Sequence, residues 1–349
     1  MEIIITGEEK SIRSDKIMAV LMKAKNTLTS VNLSPSLAGL SNSSFEKIGE
    51  MTQLTHLAVG GGKLGPGGIS ALACLTELRT FKVPGIVCGK NAAHSNVIPM
   101  AKLVDLFSKL KKLEKVEIKM EGNFPSDKVL KSLVTNNPNL HHLDITPSGF
   151  ATHYPNPIHR YIDKFSYRSL ILIADNCPKL THIGIGHLES CIDASITKIV
   201  TNCSKLKYAN FEDTVFNDTS LAMISKNCPD LEYLNIVNCQ NVTEEALERF
   251  ANSVTATNLK LLCVSRCYYS PQLPERLKQN LPNVKIVIED CEDSSDEDSS
   301  NGDFSEESFS DDHSNNSVEN SSEENEDDDS NESDENSSKD DEEGLRRHV

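Results

Sequence analysis

The chain contains no tryptophan, and aromatic residues make up only 5% of its 349 positions. A core made from this composition has to rest on stacked aliphatic side chains. No apolar run approaches the roughly 20 residues that cross a bilayer as a helix, so no membrane span is expected. The opening residues, Met1-Glu2-Ile3-Ile4-Ile5, lack the layout of a secretory leader. Without a secretory route the 10 cysteines are expected to stay reduced, in cytoplasm or nucleus.

Catalytic signatures are missing too. There is no nucleophile elbow, paired-carboxylate site or dinucleotide fingerprint. Gly60-Gly61-Gly62-Lys63-Leu64 fails as a phosphate-binding loop, because Leu57 stands where its first Gly belongs and Leu64 where Ser or Thr belongs. Cys177, Cys203 and Cys228 are too far apart for the paired short spacings of a zinc site, and Cys263 and Cys267 form no second pair. They read instead as small buried hydrophobes. His141-His142 and His153/His159 have no Cys or acidic partner at metal-site spacing. No enzyme activity, cofactor or metal is expected.

Charge is unevenly spread. From Glu292 onward 24 acidic residues stand against three basic ones, a balance of −21 within a total of −17, so the first 291 residues carry +4. The segment 292–349 is dominated by Ser, Asn, Asp and Glu and is expected to be disordered, since it cannot bury enough apolar area to offset ordering entropy. Ser294, Ser295, Ser308 and Ser321 have an acidic residue three positions on, which resembles the preference of acidophilic kinases. The tail reads either as a binder of basic proteins such as histones or as a plain solubilising segment.

The remaining residues, 1–291, hold a repeat. Apolar side chains recur as L-x-x-L-x-L at Leu54/Leu57/Val59, Leu78/Phe81/Val83, Leu113/Val116/Ile118 and Leu140/Leu143/Ile145. The series runs on through Leu180/Ile183/Ile185, Leu206/Ala209/Phe211, Leu231/Leu234/Ile236 and Leu259/Leu262/Val264. Leu28/Val31/Leu33 precedes these, Ile3/Ile5 fits a truncated first copy, and Val284 begins a degenerate last one. From Leu28 the intervals are 26, 24, 35, 27, 40, 26, 25, 28 and 25, a period characteristic of leucine-rich repeats. The expected α/β fold is therefore a leucine-rich-repeat solenoid, a horseshoe with a parallel concave sheet and convex helices. Asn176, Asn202, Asn227 and Asn137, near the end of each helical stretch, read as C-caps in the left-handed conformation.

Cys177-Pro178-Lys179-Leu180 and Cys228-Pro229-Asp230-Leu231, followed by Cys239, resemble the cysteine-containing subtype of these repeats. That subtype is typical of F-box/leucine-rich-repeat proteins, the substrate-recognition subunits of Skp–cullin–F-box ubiquitin ligases. The resemblance is closest over 170–270. Eight residues after the leading Leu, Cys239 and Cys267 match the pattern, whereas Thr214, Leu188, Ser148, Glu121 and Gly62 depart from it. No F-box precedes the repeats in the sequence as given, so this chain is expected not to bind the Skp-type adaptor. Cullin-ligase partners are implied only with an F-box upstream. Repeats followed by an acidic tail also resemble the acidic nuclear proteins that chaperone histones or regulate a phosphatase.

Side chains two, four and six residues after each leading Leu should line the concave face. They are His56, Lys82, Lys115, Glu117, Lys119, His142, Asp144, His182, Tyr208, Asn210, Glu212, Tyr233 and Asn235. The two long intervals imply insertions near 84–99 and 147–167. The second carries Phe150, His153, Tyr154, His159, Arg160 and Tyr161, the aromatic and Arg types that anchor interfaces. Candidate contacts to a protein partner are these six together with His142, Asp144, His182, Tyr208, Asn210 and Tyr233. The plainer reading makes them solvated strand faces and a surface excursion. No membrane or direct nucleic-acid partner is implied.

Overall fold

The computed structural model describes residues 1–5, 14–33, 40–88, 98–122, 126–146, 166–187, 193–265 and 269–289. These all belong to the unit Met1–Ser294; the second unit, Ser295–Val349, and with it the predicted tail, lies outside the described residues.

Strand and helix alternate once per repeat. The strands are β1 (Glu2–Ile5), β2 (Ser30–Leu33), β3 (His56–Val59), β4 (Thr80–Cys88), β5 (Lys115–Gly122) and β6 (His142–Asp144). They continue with β7 (His182–Gly184), β8 (Tyr208–Asn210), β9 (Tyr233–Asn235), β10 (Leu261–Ser265) and β11 (Lys285–Glu289). The helices are α1 (Ser14–Lys23), α2 (Asn42–Ile48), α3 (Pro66–Leu72), α4 (Met100–Lys109) and α5 (Asp127–Asn136). After them come α6 (Tyr167–Asn176), α7 (Asp193–Asn202), α8 (Asp218–Asn227), α9 (Glu244–Ala251) and α10 (Leu273–Asn280).

The strands form a single 11-stranded sheet in chain order, every neighbouring pair parallel. This is the leucine-rich-repeat solenoid that the period predicts. The pleat explains the pattern: in β2 and β6 the inward residues Val31, Leu33 and Leu143 are buried while their neighbours are not. Leading leucines such as Leu54, Leu140, Leu206 and Leu231 are fully buried and join the helices' apolar sides in one continuous core. Each contributes about 1.5–3 kcal/mol through burial that one coil alone cannot provide. Ile3 and Ile5 pair with Val31 and Leu33, as a truncated first copy should.

Three expectations need correcting. The residues at the helix ends are not left-handed: the C-caps Cys177, Cys228 and Asn137 have φ of −122°, −118° and −130°. Asn176, Asn202 and Asn227 are the last residues of their helices. At several of these ends a side chain reaches the orphan carbonyls directly, so the backbone has no need to reverse, although Asn227 Nδ2 is buried without a partner among the described residues. Asn137 Nδ2 donates to the carbonyls of Leu110 (3.0 Å) and Leu133 (2.9 Å), and Oδ1 accepts from Leu113 N–H (2.8 Å). Cys203 Sγ donates to Cys177 C=O at 3.5 Å and Cys228 Sγ to Val200 C=O at 3.6 Å, so these buried thiols also tie successive repeats together.

Part of each stretch expected as an insertion belongs to a regular element. Residues 84–88 belong to β4, which runs alongside a lengthened β5 as far as Cys88↔Gly122 after a register shift between Val83 and Ile86. Pro84 and Gly85 fall within that shift. Tyr167 is the first residue of α6, not the end of the second insertion. The last copy is also offset by one. Val284 donates to Leu281 C=O as a leading leucine does, yet Leu262 pairs with Ile286, which puts Asn283 in the leading position.

Candidate functional site

Parallel in-register pairing places equivalent residues side by side across the face of the sheet turned away from the helices. At the first outward position the row reads His56, Thr80, Lys115, His142, His182, Tyr208, Tyr233. Strand spacing in a sheet is close to the stacking distance of flat rings, and the rings in this row stack. Ring centroids are 4.8 Å apart for His142–His182, 5.8 Å for His182–Tyr208 and 4.1 Å for Tyr208–Tyr233, with interplanar angles of 23°, 15° and 7°. All four rings are partly buried.

The stack is held from below. Thr181 Oγ1 donates its single proton to His141 C=O at 3.0 Å, so its 2.9 Å contact with His182 Nδ1 makes that ring nitrogen the donor. Burial, followed by the neighbouring His142 and Lys115, keeps the His182 pKa below the usual histidine value. His182 is therefore neutral at physiological pH, with its proton on Nδ1. Burial also raises the Tyr208 and Tyr233 hydroxyls above the usual range, so both stay protonated.

At one end of the stack Glu117 meets Lys82 at 2.5 Å, Lys115 at 2.7 Å and His142 Nε2 at 3.1 Å. The hydrogen bond from His142 holds its carboxyl well below the ordinary range, against the opposing effect of burial. Past the ends of β7 and β8, His187 is clamped between Asp213 (Nδ1, 3.1 Å) and Glu212 (Nε2, 3.5 Å), which push its pKa up to about 9. His187, Asp213 and Asn238 are the non-glycine residues with positive φ among those described, and each lies seven residues after a leading Leu.

Of the predicted contacts, His142, His182, Tyr208 and Tyr233 come together in the stack. Asp144 and Asn210 lie beside it but serve their own backbone: Asp144 Oδ1 accepts Thr146 N–H and Asn210 Oδ1 accepts Glu212 N–H, both at 3.0 Å. These side-chain turns end the short strands at those residues. Phe150, His153, Tyr154, His159, Arg160 and Tyr161 lie outside the described residues. His187, Asp213 and Asn238 escaped the sequence reading because the outward alternation stops before them. Thr214, a departure from the cysteine pattern, takes over the cysteine's part: Oγ1 donates to Phe211 C=O at 2.7 Å, the same carbonyl that Cys239 Sγ approaches at 3.1 Å.

The fold and this face define a leucine-rich-repeat solenoid with a ring-lined open sheet. No family model matches the chain. Among solved structures it is similar to the leucine-rich-repeat protein LegL7 of Legionella pneumophila, at 13% identity and TM-score 0.43 over 83% of this chain and 90% of that one. It is also similar to a chain of the yeast Rad7 and Elc1 complex, at 15% identity and TM-score 0.43 over 82% and 86%. A TDR receptor matches at 15% identity and TM-score 0.41 over 78% and 45%. Likeness of this degree assigns nothing to the chain, whose repeat architecture rests on its own strand order and period.

Proposed function

We propose that the chain is a non-enzymatic scaffold that binds a protein partner across the open sheet face. The observation that carries this reading is the four-ring stack of His142, His182, Tyr208 and Tyr233. Rigid rings held in register offer contact area without the cost of ordering flexible side chains, and Tyr is enriched among the residues that dominate interface energy. The finer reading is substrate recognition for a Skp–cullin–F-box-type ubiquitin ligase, in cytoplasm or nucleus. It draws on the cysteine-containing repeat pattern, with Cys177, Cys203, Cys228 and Cys239 buried at repeat positions.

The test compares capture of cellular proteins by the intact chain, by His182→Ala with Tyr208→Ala, by Tyr154→Ala with Tyr161→Ala, and by a form truncated after Cys291. Loss of a specific set of partners in the ring variant, with melting close to wild type, is the expected result. Unchanged capture by that variant together with loss on truncation would move the function to the acidic tail. Ubiquitin-ligase components or ubiquitylated proteins among the ring-dependent partners would favour the finer reading; histones would favour the chaperone alternative.

A further inference from the structure

A second surface lies between the first turns of α5 and α6. It is an open groove of about 500 Å³ lined by Lys128 and Lys131 from one helix and by Tyr167, Arg168 and Leu172 from the other. A volume of this size accommodates several side chains. Both lysines, Tyr167 and Arg168 are exposed. Asp127 is the carboxylate among the described residues that line the groove, and it is occupied within the fold. It accepts Ser166 N–H and Ser166 Oγ, both at 2.7 Å, and hydrogen-bonds Ser169. Among the described residues none of the three cations has an ion-pair partner, whereas Lys82, Lys112 and Lys115 on nearby repeats each face a carboxylate. Two α-helices of 10 residues direct their N-terminal dipole ends toward this edge and add to the positive field. Arg168 lies 5.8 Å from the centre of the Tyr167 ring, so a planar cation and an aromatic form one wall, and Leu172 supplies an apolar patch beside them.

We propose that this groove binds an acidic segment of a partner protein, its oxyanions meeting Lys128, Lys131 and Arg168 and an adjacent apolar residue packing on Tyr167 and Leu172. The oxyanions are carboxylates or a phosphorylated side chain, which share the same charge and acceptor chemistry. This surface is separate from the ring stack and stands whether or not that face binds a partner.

The test measures fluorescence anisotropy with the full chain and three labelled decapeptides. One is built of Glu and Ser around a single Leu, the second is its singly phosphoserine form, and the third has Lys in place of every Glu. The expected result is binding of the acidic peptides, weakening as salt rises, and none of the Lys peptide. Lys128→Glu with Lys131→Glu, and separately Arg168→Glu, should each weaken binding about tenfold or more, since attraction is replaced by repulsion. Lys226→Glu, on the exposed side of α8, should change it less than about twofold, and thermal melts check that every variant is folded. Binding confined to the phosphorylated form supports the same groove with phosphate as the oxyanion. Absence of binding by either acidic form, or equal weakening in the Lys226 variant, would overturn the proposal.

Discussion

At the scale of single residues, the solenoid relies on polar side chains that link one repeat to the next. Asp218 accepts the backbone N–H of Thr243 at 2.7 Å and its hydroxyl at 2.8 Å, fixing the N-cap of the following helix. Asp127 does the same for Ser166, the N-cap of α6, and Glu244 accepts the hydroxyl of Ser270, two residues before the N-cap of α10. Replacing Asp218 by Ala leaves an N-cap without its brace and should cost about 1–2 kcal/mol, read as a lower urea midpoint with an unchanged slope. His187 sets a pH dependence. Its pKa is raised to about 9 by Asp213 and Glu212. The stability it contributes is complete below the unfolded-state value near 6.5 and is lost as pH rises through about 9. His187→Gln should remove that alkaline decline, worth on the order of 1–2 kcal/mol, while leaving the acid limb largely in place. An unaltered slope between those pH values would show that the clamp does not couple to folding.

At the scale of elements, close approach of helices depends on particular small residues. Gly49, the C-cap of α2, has no room for a side chain: an added Cβ would lie 2.6 Å from the Ala71 carbonyl carbon and oxygen in α3. Because that obstacle is backbone, Gly49→Ala must push α2 and α3 apart, costing about 2 kcal/mol or more by overpacking, readable in the melting temperature. The strands were legible in the sequence because the same apolar positions recur in each repeat, and the ring row was legible as a list of outward residues. What could not be read was that those rings touch. His142 and His182 are neighbours only after the 40-residue interval between Leu140 and Leu180 is set aside, and stacking then depends on strand spacing. The lengthened β4 and β5 were also hidden, since Pro84-Gly85 interrupts the alternation that marks a strand. The helix ends were misread for another reason: Asn137 and Cys203 act there through side-chain hydrogen bonds to neighbouring repeats, a long-range role that local backbone preference does not reveal.

At the scale of the molecule, each repeat of Met1–Ser294 rests on its neighbours in an unbroken parallel order, so the face opposite the helices is a regular surface on which position encodes neighbourhood. The charge of residues 1–291, +4, is modest, and recognition on the sheet face is therefore expected to depend on ring contacts more than on long-range attraction. The central claim is that a protein partner covers the ring stack. Its most direct test places a photoreactive amino acid at Tyr208, within the stack, and in a second chain at Val254, 74% exposed in the turn after α9. After irradiation in cells, a discrete set of cross-linked proteins from position 208, absent or much weaker from position 254, is the expected result. Cross-links of equal identity and yield from both positions, or none from position 208 while 254 captures partners, would contradict it.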